Sequence, residues 1–243
     1  GSSVNIPYFW AIDKDKDLTI DNKLFASEHP LFIGEYRQAF KNSNLIFDFG
    51  FTEGYKKNTT TKKKGQKTHL FSKFVRNFSD LENNSESTLS ITTQDTSNDK
   101  YLKLYNINSE LVNDDIDTLK NSINFTHSDD EVFFGLNMSM YETLKTNYND
   151  KYEYIFPELT FNRNLLSNSN FGTLDLDTNL KVHTYDTNKT SKFLVNNLEL
   201  DTIGINFESG IQSKILSSIK NVNYETKNIS NLKNNTTNEI YGA

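Results

Sequence analysis

Apolar residues in this chain recur at every second position. From Leu45 the odd positions read Leu45, Phe47, Phe49 and Phe51, and the even ones Ile46, Asp48, Gly50 and Thr52. Val132, Phe134, Leu136, Met138 and Met140 alternate with Phe133, Gly135, Asn137, Ser139 and Tyr141. Leu174, Leu176, Thr178, Leu180 and Val182 alternate with Asp175, Asp177, Asn179, Lys181 and His183. A fourth run sets Ile205, Phe207, Ser209, Ile211, Ser213 and Ile215 against Asn206, Glu208, Gly210, Gln212 and Lys214. Side chains alternate across a β-strand, so each run presents one apolar and one polar face. Weaker runs cover residues 32–40, 70–78, 88–93, 119–127, 159–161 and 193–200. Together they predict an all-β chain, an antiparallel up-and-down meander of about ten to twelve strands.

Strand length narrows the class. Strands of soluble domains average about 5–6 residues, whereas a strand tilted across a bilayer needs about 9–11. Several runs here alternate for about 8–11 residues, the length of transmembrane barrel strands. A soluble β-sandwich alternates as well, so pattern alone leaves both open. A β-solenoid is demoted by the lack of a repeat of fixed length. The covered face separates the two: a sandwich buries its apolar faces, and a membrane barrel turns them outward.

Composition removes other classes. The 243 residues carry no Cys, so disulfides and thiolate sites are excluded. No run approaches the roughly 20 apolar residues of a membrane-spanning helix. A net charge of -6 argues against a nucleic-acid partner, whose phosphates call for basic surfaces. His29, His69, His127 and His183 are scattered and form no metal-binding pair. Asp13, Asp15 and Asp17 are interleaved with lysines and lack the glycine of a calcium loop. No nucleophile elbow, phosphate loop or dinucleotide fingerprint occurs, so no catalytic residue, metal or cofactor is expected. Asp175 and Asp177 share a face with Asn179, Lys181 and His183, which reads as a hydrated wall rather than a carboxylate pair. Connections are polar: Lys56–Lys67 is expected to be a basic loop, with Ser79–Ser87 and Asn223–Asn238 as further loops.

The residues that carry a resemblance lie mostly at the start. Ile6-Pro7-Tyr8-Phe9-Trp10-Ala11-Ile12, Asp17-Leu18-Thr19-Ile20 and Leu31-Phe32-Ile33-Gly34-Glu35-Tyr36-Arg37 follow one another. Further on come Asp99-Lys100-Tyr101-Leu102, Tyr152–Leu159 with Pro157, and Phe193–Leu200. In order, these resemble the LptD family of outer-membrane lipopolysaccharide-assembly proteins (organic solvent tolerance protein, OstA), densely over 6–40 and patchily to about 205.

The resemblance implies a non-enzymatic role in the bacterial outer membrane: lipopolysaccharide is inserted into the outer leaflet through a seam between the first and last barrel strands. It implies a plug lipoprotein, LptE, and a periplasmic LptA-type bridge protein as partners. Residues 6–243 are then expected to be the first part of a larger barrel, after a possible scar or linker at 1–5. The family's jellyroll domain and remaining strands would lie outside the sequence. Pro7, Tyr8 and Trp10 fall at the lateral gate, and Gly34, Glu35, Tyr36, Arg37, Tyr101, Leu102, Pro157 and Leu159 at family-motif positions. Lys14 and Asn22 stand where the family has further seam-weakening prolines, so the gate is expected to be tuned differently. A general outer-membrane channel or receptor barrel, and a soluble β-rich binding module, are the alternatives.

Overall fold

A computed structural model describes residues 2–59, 62–80, 82–146, 148, 150–232 and 237–242, with the backbone alone at 57–59, 62 and 63. The strands are β1 (Ser3–Asp13), β2 (Lys16–Phe25), β3 (Leu31–Phe40), β4 (Ser43–Thr59), β5 (Lys62–Asp80) and β6 (Ser85–Thr96). After one short helix, α1 (Tyr101–Tyr105), come β7 (Thr118–Ser128), β8 (Val132–Thr143), β9 (Tyr152–Asn168), β10 (Gly172–Tyr185) and β11 (Lys189–Thr202). The chain then runs through β12 (Ile205–Asn206), β13 (Gln212–Ser213), β14 (Leu216–Lys227) and β15 (Thr237–Gly242). Thirteen of these form one sheet in sequence order, with β12 and β13 pairing separately. The fold is all-β and an up-and-down antiparallel meander, as the alternation requires. It divides into two compact units, residues 1–77, 89–122 and 141–151, and residues 78–88, 123–140 and 152–243.

Four expectations need correction. Lys56–Lys67 is mostly strand: β4 and β5 extend into it, although its residues 60 and 61 lie outside the described residues. Ser79–Ser87 and Asn223–Asn238 are also shortened by strand extensions, and 233–236 are not among the described residues. A ladder continues as long as backbone donors find acceptors, so polar composition alone does not end a strand. The run from Ile205 to Ile215 is a small hairpin, not a long strand. Phe207 N–H donates to Ile211 O at 2.8 Å, and Gly210 adopts φ +82° at its tip. Gly and Ser at the centre of an alternating run turn the chain back.

Register shows which residues share a face. In the first unit, one rank reads Tyr8, Ile20, Gly34, Phe49, Leu70 across β1–β5, and the next Trp10, Leu18, Tyr36, Phe47, Ser72. The opposite face carries Phe9, Thr19, Glu35, Asp48, Phe71, then Pro7, Asp21, Ile33, Gly50, His69. Burial inverts the soluble pattern. Trp10 is 50% and Phe49 42% exposed, whereas Asp48 is 0% and His69 3% exposed. In the second unit, the paired Ser191 and Thr226 are buried, and Ile219 on the other face is exposed. The apolar side of the alternation faces outward.

Cross-strand packing holds this outer face together. The Phe49 ring lies over Gly34, so close that a Cβ at position 34 would sit 2.4 Å from its Cζ. An aromatic ring covering a strand glycine replaces the packing that the glycine lacks. Gly34→Val should therefore cost about 1–3 kcal/mol, the usual range for overpacking. Phe49→Ala in the same chain should recover part of that loss. Thermal loss of the β-sheet circular-dichroism signal checks both; equal melting for Gly34→Val and the parent would contradict the contact.

Candidate functional site

The inner face of β2–β5 is covered by the connection between β6 and β7, residues 97–117. Its helix α1 has five residues, far below the length at which a helix holds itself in water. It is held instead by packing. Tyr101, Leu102, Tyr105, Ile107 and Val112 form a cluster with Leu31, Phe71, Leu119 and Leu144. The helix ends at Asn106, whose φ of 49° is left-handed, and Ile107 N–H donates to Leu102 O at 3.0 Å. That bond satisfies a carbonyl that the helix end would leave bare. Lys23 Nζ serves two more, Tyr105 O at 3.2 Å and Asn106 O at 3.1 Å.

Beneath α1 runs a buried polar chain. His69 Nε2 lies 3.0 Å from Asp48 Oδ1, and His69 Nδ1 lies 3.0 Å from the Tyr101 hydroxyl. A neutral ring with its proton on Nε2 satisfies both: it donates to the carboxylate and accepts from the phenol. The ring stacks on Phe71 at 4.6 Å and meets Tyr101 at 5.4 Å. Gly50 makes the approach possible, since a Cβ there would lie 2.4 Å from His69 Cε1 and 2.9 Å from Tyr101 Oη. Asp48 Oδ2 is buried without a hydrogen-bond partner. Leaving such an acceptor dry costs about 1–3 kcal/mol.

The cover is incomplete. Toward the β1–β2 turn the inner face stays open as a recess of about 690 Å³, lined in part by Phe9, Arg37, Ile46, Lys73 and, from the connection, Glu110. Arg37 Nε donates to Asp17 Oδ1 at 3.0 Å on the recess wall.

The second unit repeats the polar inner face. His183 Nε2 is 2.7 Å from Glu153 Oε1, and Lys181 Nζ is 3.2 Å from Glu158 Oε1. Asn137 Nδ2 donates to Glu158 Oε2 at 2.9 Å, Asn164 Nδ2 to Asp175 at 2.7 Å, and Asn162 to Asp177. Asp175 and Asp177 thus each take an amide donor from β9, as a polar wall does. The outward side of this unit is not wholly apolar. Thr178 donates to Asn196, Asn196 to Asn221, and Asn221 to Asn238, a rank of polar side chains crossing β10, β11, β14 and β15.

The residues singled out in the sequence fall in different places. Pro7, Tyr8 and Trp10 lie on β1, an edge strand of the sheet, where a missing N–H is tolerated. Of the Gly34–Arg37 quartet, Gly34 and Tyr36 face outward, and Tyr36 donates to Gln38 Oε1 at 2.7 Å. Glu35 and Arg37 face inward, 3.7 Å apart. Tyr101 and Leu102 sit in the core of the first unit. Leu159 pairs with Leu180, and Pro157 lies with Phe156 at a bulge opposite Val182, a position open to proline. Lys14 is in the β1–β2 turn and Asn22 on β2 opposite Ile6. Asp48, His69 and Gly50 were not foreseen as a group. Their signal in the sequence is slight: Asp48 and Gly50 occupy inner positions of the strong run from Leu45, and His69 lies just before the weaker run of 70–78. Among the described residues, no three His, Cys, Asp or Glu groups are placed to hold a metal.

Burial raises the acidity constants of the two phenols on α1. Tyr105 is pushed up to about 12, first by desolvation and then by the charge of Tyr55. Tyr101 is raised further, by burial first and then by its neighbour Tyr105. A raised phenol keeps its full contribution to stability below pH 10, and loses it as pH climbs through the folded value. Tyrosinate absorbance should therefore show the two α1 phenols among the late-titrating members of the 12 tyrosines, with the α1 cluster released above about pH 10. Tyr101→Phe should remove one late titrating group and cost about 1 kcal/mol; a titration with all phenols near pH 10 would contradict the burial.

Compared with protein-family profiles and with curated proteins, the chain matches none.

Proposed function

We propose that this chain is part of an outer-membrane β-barrel that assembles lipopolysaccharide into the outer leaflet, without catalysing a reaction. The observation that carries the membrane half of this reading is the inversion of the faces. Ranks of Tyr8, Trp10, Phe47 and Phe49 point outward while Asp48, His69 and Glu35 line the covered side. Water penalises that arrangement and hydrocarbon rewards it, because barrel strands place apolar residues toward lipid and polar residues toward the lumen. Strands of 10–12 residues such as β1, β2, β3, β6 and β8 also suit a tilted crossing. Trp10 and Tyr8 fit an interfacial aromatic girdle.

The lipopolysaccharide half rests on the resemblance of residues 6–40, which make up β1–β3. In this reading β1 is one side of the lateral gate, and Pro7 lowers its capacity to pair. Lipopolysaccharide is the cargo, and an LptE-type plug lipoprotein and an LptA-type bridge are the partners. A soluble β-rich module is the reading favoured by the amide rank from Thr178 to Asn238. In lipid those amides have only one another to bond, and in water they are at ease.

Two measurements separate the readings. Phe49→Lys should cost about 2–4 kcal/mol of membrane insertion if position 49 faces mid-bilayer. Ile46→Lys, on the inner face beside the recess, should insert as the parent does. Flotation of the full-length protein with liposomes reads the difference, and equal flotation of both variants would overturn the barrel assignment. Depletion of the full-length protein in its host should then lower surface lipopolysaccharide; unchanged surface lipopolysaccharide would leave a general channel or receptor.

A further inference from the structure

The geometry points to residues 97–117 being a movable plug of the inner face, held in a polar seat, rather than a permanent part of the wall. The inference rests on the reading of that face as a lumen. Three observations carry it. The seat is unusual for a permanent core, because apolar Leu31 and Phe71 are interspersed with Asp48, His69 and Thr52, all buried. Polar groups on a wall made to stay dry are costly, whereas on a wall that is wetted whenever its cover leaves they are not. Asp48 makes the point most directly. With the cover seated, its Oδ2 is buried and has no partner, and withdrawal of Tyr101 would give water access to it.

The second observation is how the segment is fastened. At one end Ser97 and Thr68 exchange hydrogen bonds, with Thr68 N–H donating to Ser97 Oγ at 2.8 Å and Ser97 N–H to Thr68 O at 3.0 Å. At the other end Leu144 N–H donates to Asp117 O at 2.8 Å. Between these roots the polar fastenings to the wall include the Tyr101–His69 bond and the two carbonyls held by Lys23. A segment rooted at both ends and held between them by side-chain packing and these few hydrogen bonds, not by strand pairing, can lift without dismantling the ladder, although lifting uncovers the cluster of Tyr101, Leu102, Ile107, Leu31 and Phe71.

The third is what lifting would do. The seated segment divides the inner face, and its Glu110 forms part of the recess beside Arg37 and Lys73. Lifted, it would join the recess to the rank of Asp21, Gly50 and His69 and to Lys23 beyond. The result is one continuous open face along β2–β5, in which Asp21, Lys23, Asp48 and His69 are interspersed with Ile33, Leu31 and Phe71. The plug thus sets how much of the lumen is open.

These 243 residues carry no cysteine, so an introduced pair supplies the segment's only thiols, and any cysteine elsewhere in the full-length protein is first replaced by serine. Lys23→Cys with Asn106→Cys removes the lysine fastening and places two thiols across the seat. In planar bilayers the full-length protein carrying this pair should conduct several-fold more than the parent. A short bismaleimide should then return conductance to the parent level or below, in the same sample, while monofunctional maleimide should not. Unchanged conductance after complete cross-linking would overturn the plug. So would two thiols that react singly but never cross-link, since Lys23 and Asn106 would then not share a seat. His69→Phe, which removes the polar chain but leaves the thiol pair absent, should also raise conductance. Flotation with liposomes is measured alongside: a protein that does not float sinks the membrane reading itself, and one that floats with a reagent-insensitive conductance sinks the plug alone.

Discussion

Backbone hydrogen bonding between neighbouring strands is the constraint from which the remaining features follow. Each strand of the thirteen-stranded sheet pairs with the next strand of that sheet along the chain, β11 with β14 across the small hairpin, so successive ranks of side chains are brought onto a common face. Once Tyr8, Ile20, Gly34, Phe49 and Leu70 stand in one rank, the adjacent rank must face the other way. A slip of β4 by one residue against β3 and β5 would move Phe47 and Phe49 into the seat of α1 and Asp48 to the outside. Register, more than any single contact, keeps the two faces chemically distinct.

The two faces pack by different means. On the outside, rings cover small residues and neighbouring apolar side chains, as Phe49 does over Gly34. On the inside, the strands alone cannot exclude water, and a connection supplies the missing layer. Residues 97–117 bring Tyr101, Leu102 and Tyr105 to a wall where Leu31 and Phe71 are the apolar partners. The contacts are mutual: α1 is too short to persist without the wall, and Asp48 and His69 would be wet without α1. Gly50 is the point where both requirements meet, because only a residue without a side chain lets His69 and Tyr101 close over it.

The alternation was readable at once, since a period of two needs no partner to be visible. It located β4, β8 and β10 from Leu45, Val132 and Leu174. It failed at Ile205–Ile215, where the same period continues through a turn. A strand and a tight hairpin can share a pattern, and Gly210 with its positive φ decides between them. It also understated strand length at Lys56–Lys67, because solvated polar residues pair as well as apolar ones when the ladder is already formed. The inner site was hardly legible. Tyr101 and Leu102 stood out only through family likeness, and nothing in the sequence joins Asp48 to His69, 21 residues away, or His69 to Tyr101, 32 residues away.

What the sequence determined by itself was the two-sidedness of the strands, because side-chain direction along an extended backbone depends only on position. It also determined that whatever covers these faces must accept aromatics on one side and carboxylates, amides and histidines on the other. The tertiary structure decided which side is which. Burial of the polar face came from a connection folding back over it, and that depends on contacts between residues remote in the chain. The same folding placed Tyr101 on His69 and His69 on Asp48, turning scattered polar residues into one seat.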